Sequence, residues 1–177
     1  MGNKMEAPRV KNRIVYLKED FQNFVYRLDN VTEIILWIGV SLILFAVVFH
    51  VIGRYFFGKT HMGTMELIRY TMVWTSMLGA SNAFTTGEHI GMELLKNKVS
   101  KRTWCRISLL ANILLCIFLV AMLVGGIKLS FINWNQISLG MQIPMFYPYL
   151  AIPIGALFMF FHVLLDILNI IISNKFI

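Results

Sequence analysis

An uninterrupted apolar run from Ile34 to Gly53 constrains this chain more than any other feature, because its twenty residues include no lysine, arginine, aspartate or glutamate. A helix of that length, rising about 1.5 Å per residue, crosses the roughly 30 Å hydrocarbon core of a bilayer. The composition agrees, since 58% of the 177 residues are hydrophobic and only 14% are charged. We therefore predict a membrane protein whose length leaves no room for a large soluble catalytic domain.

Three further segments complete a predicted bundle of four transmembrane helices. The spans are placed at about 34–53, 67–86, 107–127 and 147–172, which makes 34–172 the membrane domain of an all-α protein. The second span is the most polar of the four, with threonine, serine and asparagine along its length. Pro153 removes the donor that the carbonyl of Tyr149 needs, so a bend is predicted near the start of the last span.

The segments outside the bundle are predicted to lie against the membrane or a partner. Residues 1–33 form a cytoplasmic tail with the apolar spacing of an amphipathic helix, which lies either on the bilayer surface or against another protein. The apolar positions are Ile14, Leu17, Phe21, Phe24, Val25 and Leu28. A short in-plane helix is predicted from Ile90 to Val99, between spans two and three, and 173–177 form a second cytoplasmic tail. A cleaved signal peptide is not expected, because the tail has no apolar core of its own.

The lysine and arginine residues predict the orientation of the bundle. Twelve of the sixteen lie in the N-terminal tail, in the connection 87–106 and at the C-terminus, and four lie on the opposite side. Both termini and the connection are therefore predicted to be cytoplasmic, with 54–66 and 128–147 outside. The net charge of +7 reflects these flanking segments and does not indicate nucleic-acid binding.

Apart from Arg69 near one end of the second span, the candidate ionisable side chains inside the predicted spans are His50, His162 and Asp166. His162 and Asp166 are four residues apart on one helix face, which predicts a proton relay or a mutually satisfied structural pair facing a neighbouring helix, and we favour the pair. Two intramembrane histidines also allow an alternative function, the haem-anchoring subunit of a respiratory complex. Helix rise places His50 and His162 roughly 15 Å apart along the membrane normal, too far to sandwich one iron.

No group of side chains predicts catalysis. Glu88, His89 and Glu93 are types of residue that bind divalent metals, but their spacing is not diagnostic and the start of the in-plane helix explains them better. No nucleophile, base and orienting group fall at matching depth. We therefore expect a protein that is not an enzyme and has no metal or cofactor of its own.

Small and polar residues on the second span predict a helix–helix contact. Ser76 and Ala80, and also Gly79 and Ala83, are spaced four residues apart, which in lipid lets two helix backbones approach closely. The neighbour is either another helix of this chain or a helix of a second subunit.

An ion pair is predicted at the outer end of the same span. Glu66 and Arg69 are three residues apart, so they can meet on one helix face, with Arg54 nearby. An exposed pair of this kind is worth only ~0.2–0.5 kcal/mol, so a measurable effect requires partial burial or contact with a partner.

The order of several motifs resembles a known family. The motifs are GRYFFG at 53–58, MELIRY at 65–70, Trp74 followed by LGASNAF at 78–84, GEHI at 87–90 and IPMFYPYLAIPIG at 143–155. Over about 28–172 the chain resembles the small membrane subunit, the Q or DctQ-like protein, of the TRAP transporters, which are tripartite ATP-independent periplasmic carriers. The resemblance implies four transmembrane helices and cytoplasmic termini in the inner membrane of a bacterium.

The resemblance also implies partners. A large membrane subunit would hold the substrate and sodium sites and move as an elevator, a periplasmic binding protein would deliver an organic acid, and this chain would extend the static scaffold in the lipid bilayer. Overall likeness favours sialic acid as the cargo, with dicarboxylates and other carboxylates next. The candidate partner-contact or structural residues are Arg54, Tyr55, Glu66, Arg69, Trp74, Gly79, Asn82, Gly87, Glu88 and His89.

Overall fold

The computed structural model describes residues 6–58, 62–85 and 100–175, and in these ranges the only regular elements are helices. The helices are α1 (Glu6–Phe57), α2 (Met62–Thr85), α3 (Lys101–Ile132), α4 (Phe146–Tyr149) and α5 (Ala151–Lys175). A single isolated antiparallel bridge joins Ile137 to Pro144 in the α3–α4 loop, which we define as residues 133–145. The expected all-α class is thus confirmed for the described part of the chain.

Helix α1 joins two segments that the sequence analysis separated. It runs for 52 residues without a break, so the predicted amphipathic helix of the tail is the first part of the same rod that contains the first span. The physical reason is the absence of glycine and proline from 9 to 38, since nothing there interrupts the helical hydrogen bonds. At about 1.5 Å per residue the rod is roughly 78 Å long.

Three helical segments among the described residues are long and apolar enough to cross a membrane. They are Glu19–Phe57, Thr103–Ile132 and Phe146–Ile170, and they contain or overlap the predicted first, third and fourth spans. The predicted second span coincides with α2 but is not among the three, because the hydroxyl and amide side chains along α2 lower its hydropathy.

Helices α2 and α5 hold the bundle together. Helix α2 contacts α1 and α5, and α5 also packs on α3. Two glycines allow close packing on α5: a Cβ on Gly155 would lie 2.7 Å from Met77 Cβ of α2, and one on Gly126 of α3 would lie 2.8 Å from Pro153 Cδ. The buried core, Leu119, Ala156, Met159 and Val163, therefore lies between α3 and α5.

The last span begins with an interrupted helix. Helix α4 ends at Tyr149 and α5 begins at Ala151, although the torsion angles of Leu150 between them are right-handed helical at φ −60° and ψ −21°. Pro153 has no N–H to donate to Tyr149, which accounts for an irregularity at this position. Pro148 is buried within the short α4.

Candidate functional site

A buried histidine and aspartate join the first and last helices. The Nε2 atom of His162 on α5 lies 3.0 Å from Oδ1 and 3.2 Å from Oδ2 of Asp29 on α1, while its Nδ1 lies 2.8 Å from the carbonyl oxygen of Phe158. Only 6% of His162 and 7% of Asp29 is exposed. Because a carbonyl oxygen can only accept, Nδ1 donates to Phe158, and Nε2 is hydrogen-bonded to the Asp29 carboxyl group.

Neighbouring contacts hold this pair in place. The hydroxyl of Thr32 donates to the backbone carbonyl of Asp29 at 2.9 Å. On the preceding turns, Phe21 and Phe24 both meet Phe161 edge to face, with ring centroids 6.2 Å apart. The tail portion of α1 therefore packs against α5 of its own chain.

His162 stands out in the sequence, but its partner on α1 does not. Asp29 lies 133 residues away in sequence and fell in the segment predicted to be a cytoplasmic tail. The available signal was the three- to four-residue spacing of Val25, Asp29 and Thr32, all buried on α1. Asp166, the partner that the sequence suggested, is half-buried on α5.

A second arrangement lies at the opposite end of α1, where Glu66 holds the α3–α4 loop. Its Oε1 accepts the N–H of Gly140 at 3.0 Å and its Oε2 accepts the N–H of Met141 at 2.9 Å. The predicted pairing of Glu66 with Arg69 is therefore wrong: loop backbone, not the exposed guanidinium, satisfies this carboxylate. The Met141 N–H is the main reason that the pKa of Glu66 lies below its ordinary value, with a smaller contribution from Gly140.

The loop fits the start of α2 closely. A Cβ on Gly140 would lie 2.6 Å from the backbone nitrogen of Gly63, so only glycine fits there without a shift. Within the loop the N–H of Ser138 donates to the carbonyl of Ile143 at 2.9 Å, and Gln142 has a φ of +53°. Sequence reasoning missed this contact, because backbone donors leave no side-chain signature.

We expect Glu66→Gln to loosen the loop, because the amide keeps one acceptor oxygen and presents a donor to the other N–H. A nitroxide on Leu139→Cys, in a background with Cys105→Ser and Cys116→Ala, would report this as greater mobility.

The hydrogen bonds from the loop to Glu66, which we call the Glu66 clamp, should also respond to pH. Because the folded loop lowers the pKa of Glu66, the stabilisation that the clamp provides is fully present above the ordinary glutamate pKa and is lost as the pH falls through the lowered value.

The matched control for that measurement is Glu33→Gln, which removes an exposed carboxylate from α1. Glu33→Gln should change neither the mobility of the nitroxide at position 139 nor the pH at which that mobility rises. A label equally immobile in Glu66→Gln and the parent would show that the clamp does not order the loop.

Two clefts lie between α1 and α2. We call the first the arginine cleft; it has a volume of ≈ 560 Å³ and is lined by His50, Arg54, Met62, Met65, Glu66, Arg69 and Leu139. We call the second the tryptophan groove; it has a volume of ≈ 510 Å³ and is lined by Glu33, Leu36, Trp37, Val40, Thr75, Ser76 and Gly79. Three predicted site residues, Arg54, Glu66 and Arg69, thus meet in one cleft.

The other predicted site residues are not brought together there. Tyr55 is 79% exposed at the end of α1, and Trp74 and Asn82 are half-buried on α2. Gly79 lies on the tryptophan groove, and a Cβ on it would make only an ordinary 3.7 Å contact with Leu36. Gly87, Glu88 and His89 lie outside the described residues, as does the predicted in-plane helix.

The geometry of His162 does not suit the haem alternative. Both of its ring nitrogens already have hydrogen-bond partners, so neither points a free lone pair at an iron. Among the residues that the structure describes, no three histidine, cysteine, aspartate or glutamate side chains are grouped so as to hold a metal ion.

Comparison with known proteins supplies the identity that the geometry leaves open. No curated protein matches the chain. A family model does match, over residues 34–172, and it describes the DctQ component of the tripartite ATP-independent periplasmic transporters. The match covers more than three quarters of the sequence and confirms the resemblance seen in its motifs. The chain therefore belongs to the DctQ family, the small membrane component of the TRAP transporters.

Proposed function

We propose that this protein is the scaffold subunit that holds a large, sodium-coupled elevator subunit in the membrane while a periplasmic binding protein delivers an organic acid. The observation that carries the proposal is the membership of a family whose members work in three-part transporters. Sialic acid is the proposed cargo, on overall likeness of sequence.

The arrangement of the buried polar side chains supports the role of a scaffold rather than that of a carrier. A coupled carrier places ion-binding groups and broken helices near the middle of the membrane. In this chain Asp29 and His162 bond to each other across two helices, which serves packing. The interrupted helix at Leu150 is near one end of its span.

One face of α2 supplies a surface for the large subunit. Four of its residues at three- to four-residue spacing are exposed: Met72, Ser76, Ala80 and Ala83. The small side chains of Ser76 and Ala80 let a partner helix approach closely, and that helix packs into the adjacent tryptophan groove.

We propose that α2 forms the second span, which the sequence predicts at 67–86 and which completes four spans, and that both termini are cytoplasmic. Helix α2 has 24 residues, about 36 Å at its helical rise, and it packs between two apolar helices. Twelve of the sixteen basic residues favour this orientation in the bacterial inner membrane. In the cysteine-free background, an impermeant thiol reagent added outside cells should label Leu139→Cys and spare Glu19→Cys; the reverse pattern would invert the topology.

Co-purification tests the proposed partnership. The tagged chain should retain the large subunit in mild detergent, and Ala80→Leu should reduce its yield because leucine separates closely packed backbones. The control is Ala121→Leu, which enlarges an exposed alanine on α3. If Ala80→Leu and Ala121→Leu retained the large subunit equally well, the exposed face of α2 would not be part of the interface. Failure of the unaltered chain to retain the large subunit would contradict the proposed partnership.

A further inference from the structure

The arginine cleft combines positive charge with apolar walls. Arg54 comes from α1 and Arg69 from α2, and both side chains are exposed at the same cleft. Within 6–58, 62–85 and 100–175, neither guanidinium forms an ion pair with a carboxylate. Arginine stays protonated at all physiological pH values, so the cleft holds at least two positive charges.

One negative charge in the wall offsets the two arginine charges only in part. That charge is on Glu66, whose two oxygens accept the N–H groups of Gly140 and Met141. His50 adds a third nitrogen-bearing side chain. Met62, the first residue of α2, also lines the cleft, so the positive end of that helix dipole lies in its wall. The cleft therefore attracts an anion.

The remaining lining residues suit a hydrocarbon chain. Met62 is 75% exposed, Met65 is 50% exposed and Leu139 is 89% exposed. Tyr55, next to Arg54 in sequence, is 79% exposed, as is typical of the aromatic belt at the level of lipid headgroups. An occupant must therefore offer both an anionic group and an apolar chain, at the boundary of the membrane.

We propose that the arginine cleft binds a phospholipid, with Arg54 and Arg69 donating hydrogen bonds to the headgroup phosphate and an acyl chain lying against Met62 and Met65. The planar guanidinium matches phosphate oxygens with two parallel donors, which makes arginine well suited to this group. The inference rests on the membrane placement of α1 and α2 and is independent of the partner subunit.

Native mass spectrometry of the full chain in detergent tests the proposal. Dioleoyl phosphatidylglycerol should bind with one high-affinity site, whereas dioleoylglycerol, which has the same chains without phosphate, should not. Inorganic phosphate at the same concentration should not displace the lipid. In Arg54→Gln/Arg69→Gln, lipid affinity should fall roughly tenfold or more, as expected from losing charge-assisted hydrogen bonds.

Two further variants separate a built site from general electrostatics. Arg27→Gln/Lys128→Gln removes two exposed positive charges elsewhere and should bind the lipid as the parent does. Arg54→Lys/Arg69→Lys keeps the charge, should retain partial affinity, and shows that the cleft is intact.

Several results would overturn the proposal. An equal loss of affinity in the control pair would indicate attraction by net charge alone. Equal binding of dioleoylglycerol would exclude a role for phosphate, and displacement by inorganic phosphate would indicate a site for a free anion. Unchanged lipid affinity in Arg54→Gln/Arg69→Gln would show that these arginines do not bind the headgroup phosphate. None of these results affects the co-purification test, so the two proposals fail separately.

Discussion

Replacing His162 with leucine should destabilise the chain by about 3 kcal/mol, because Asp29 would keep a buried carboxylate without its partner. The expected loss is large since both residues are more than nine-tenths buried and join helices at opposite ends of the sequence. Reversible unfolding in mixed micelles, followed by circular dichroism, would measure the change in the free energy of unfolding. The matched control is Glu33→Leu, one turn beyond Asp29 on α1, where the carboxylate is exposed.

The double variant Asp29→Leu/His162→Leu gives this prediction a sharper form. Removing both members of a buried hydrogen-bonded pair costs much less than removing one, because no buried polar group is left without a partner. The double variant should therefore be more stable than the His162→Leu variant. A loss equal to the sum of the two single losses would mean that the residues do not interact energetically.

Two adjacent glycines on α3 should respond in opposite directions to alanine. Gly126→Ala should destabilise the bundle by about 1–3 kcal/mol, the usual cost of overpacking a filled contact. A Cβ there would lie 2.8 Å from Pro153 Cδ and 3.1 Å from the Pro153 backbone nitrogen, which cannot easily move. Thermal unfolding of the purified chain would measure the effect.

Gly125→Ala is the control, because nothing lies within 4 Å of a Cβ at that position. It should be neutral or stabilising by up to about 1 kcal/mol, since alanine favours a helix over glycine. Equal destabilisation by both substitutions would show that α3 does not pack against Pro153 as described.

The sequence predicted what depends on hydropathy and failed where packing between helices decides. The uncharged run 34–53 lies within α1 and 107–127 lies within α3, because each is long and apolar whatever its neighbours. The continuity of α1 between the tail and the first span could have been predicted from the absence of glycine and proline from 9 to 38. Its contact with α5 could not, since Asp29 and His162 meet only when two distant segments pack.

The errors at the candidate site have the same origin. Residue spacing paired Glu66 with the nearest arginine on its helix, but the loop backbone offered two better-placed donors. Spacing singled out Gly79 for a helix–helix contact, which stays a prediction, but it did not reveal the close approaches at Gly39, Gly126 and Gly155. A periodic pattern shows which residues share a face but does not show which face meets a neighbour.

Uptake by proteoliposomes tests the central claim most directly, namely that this chain supports transport without carrying substrate itself. Vesicles with an imposed sodium gradient would contain this chain alone, the large subunit alone, or both, with the binding protein and labelled sialic acid outside. We predict uptake only when this chain and the large subunit are both present. Uptake by this chain alone, or full-rate uptake by the large subunit without it, would contradict the scaffold role.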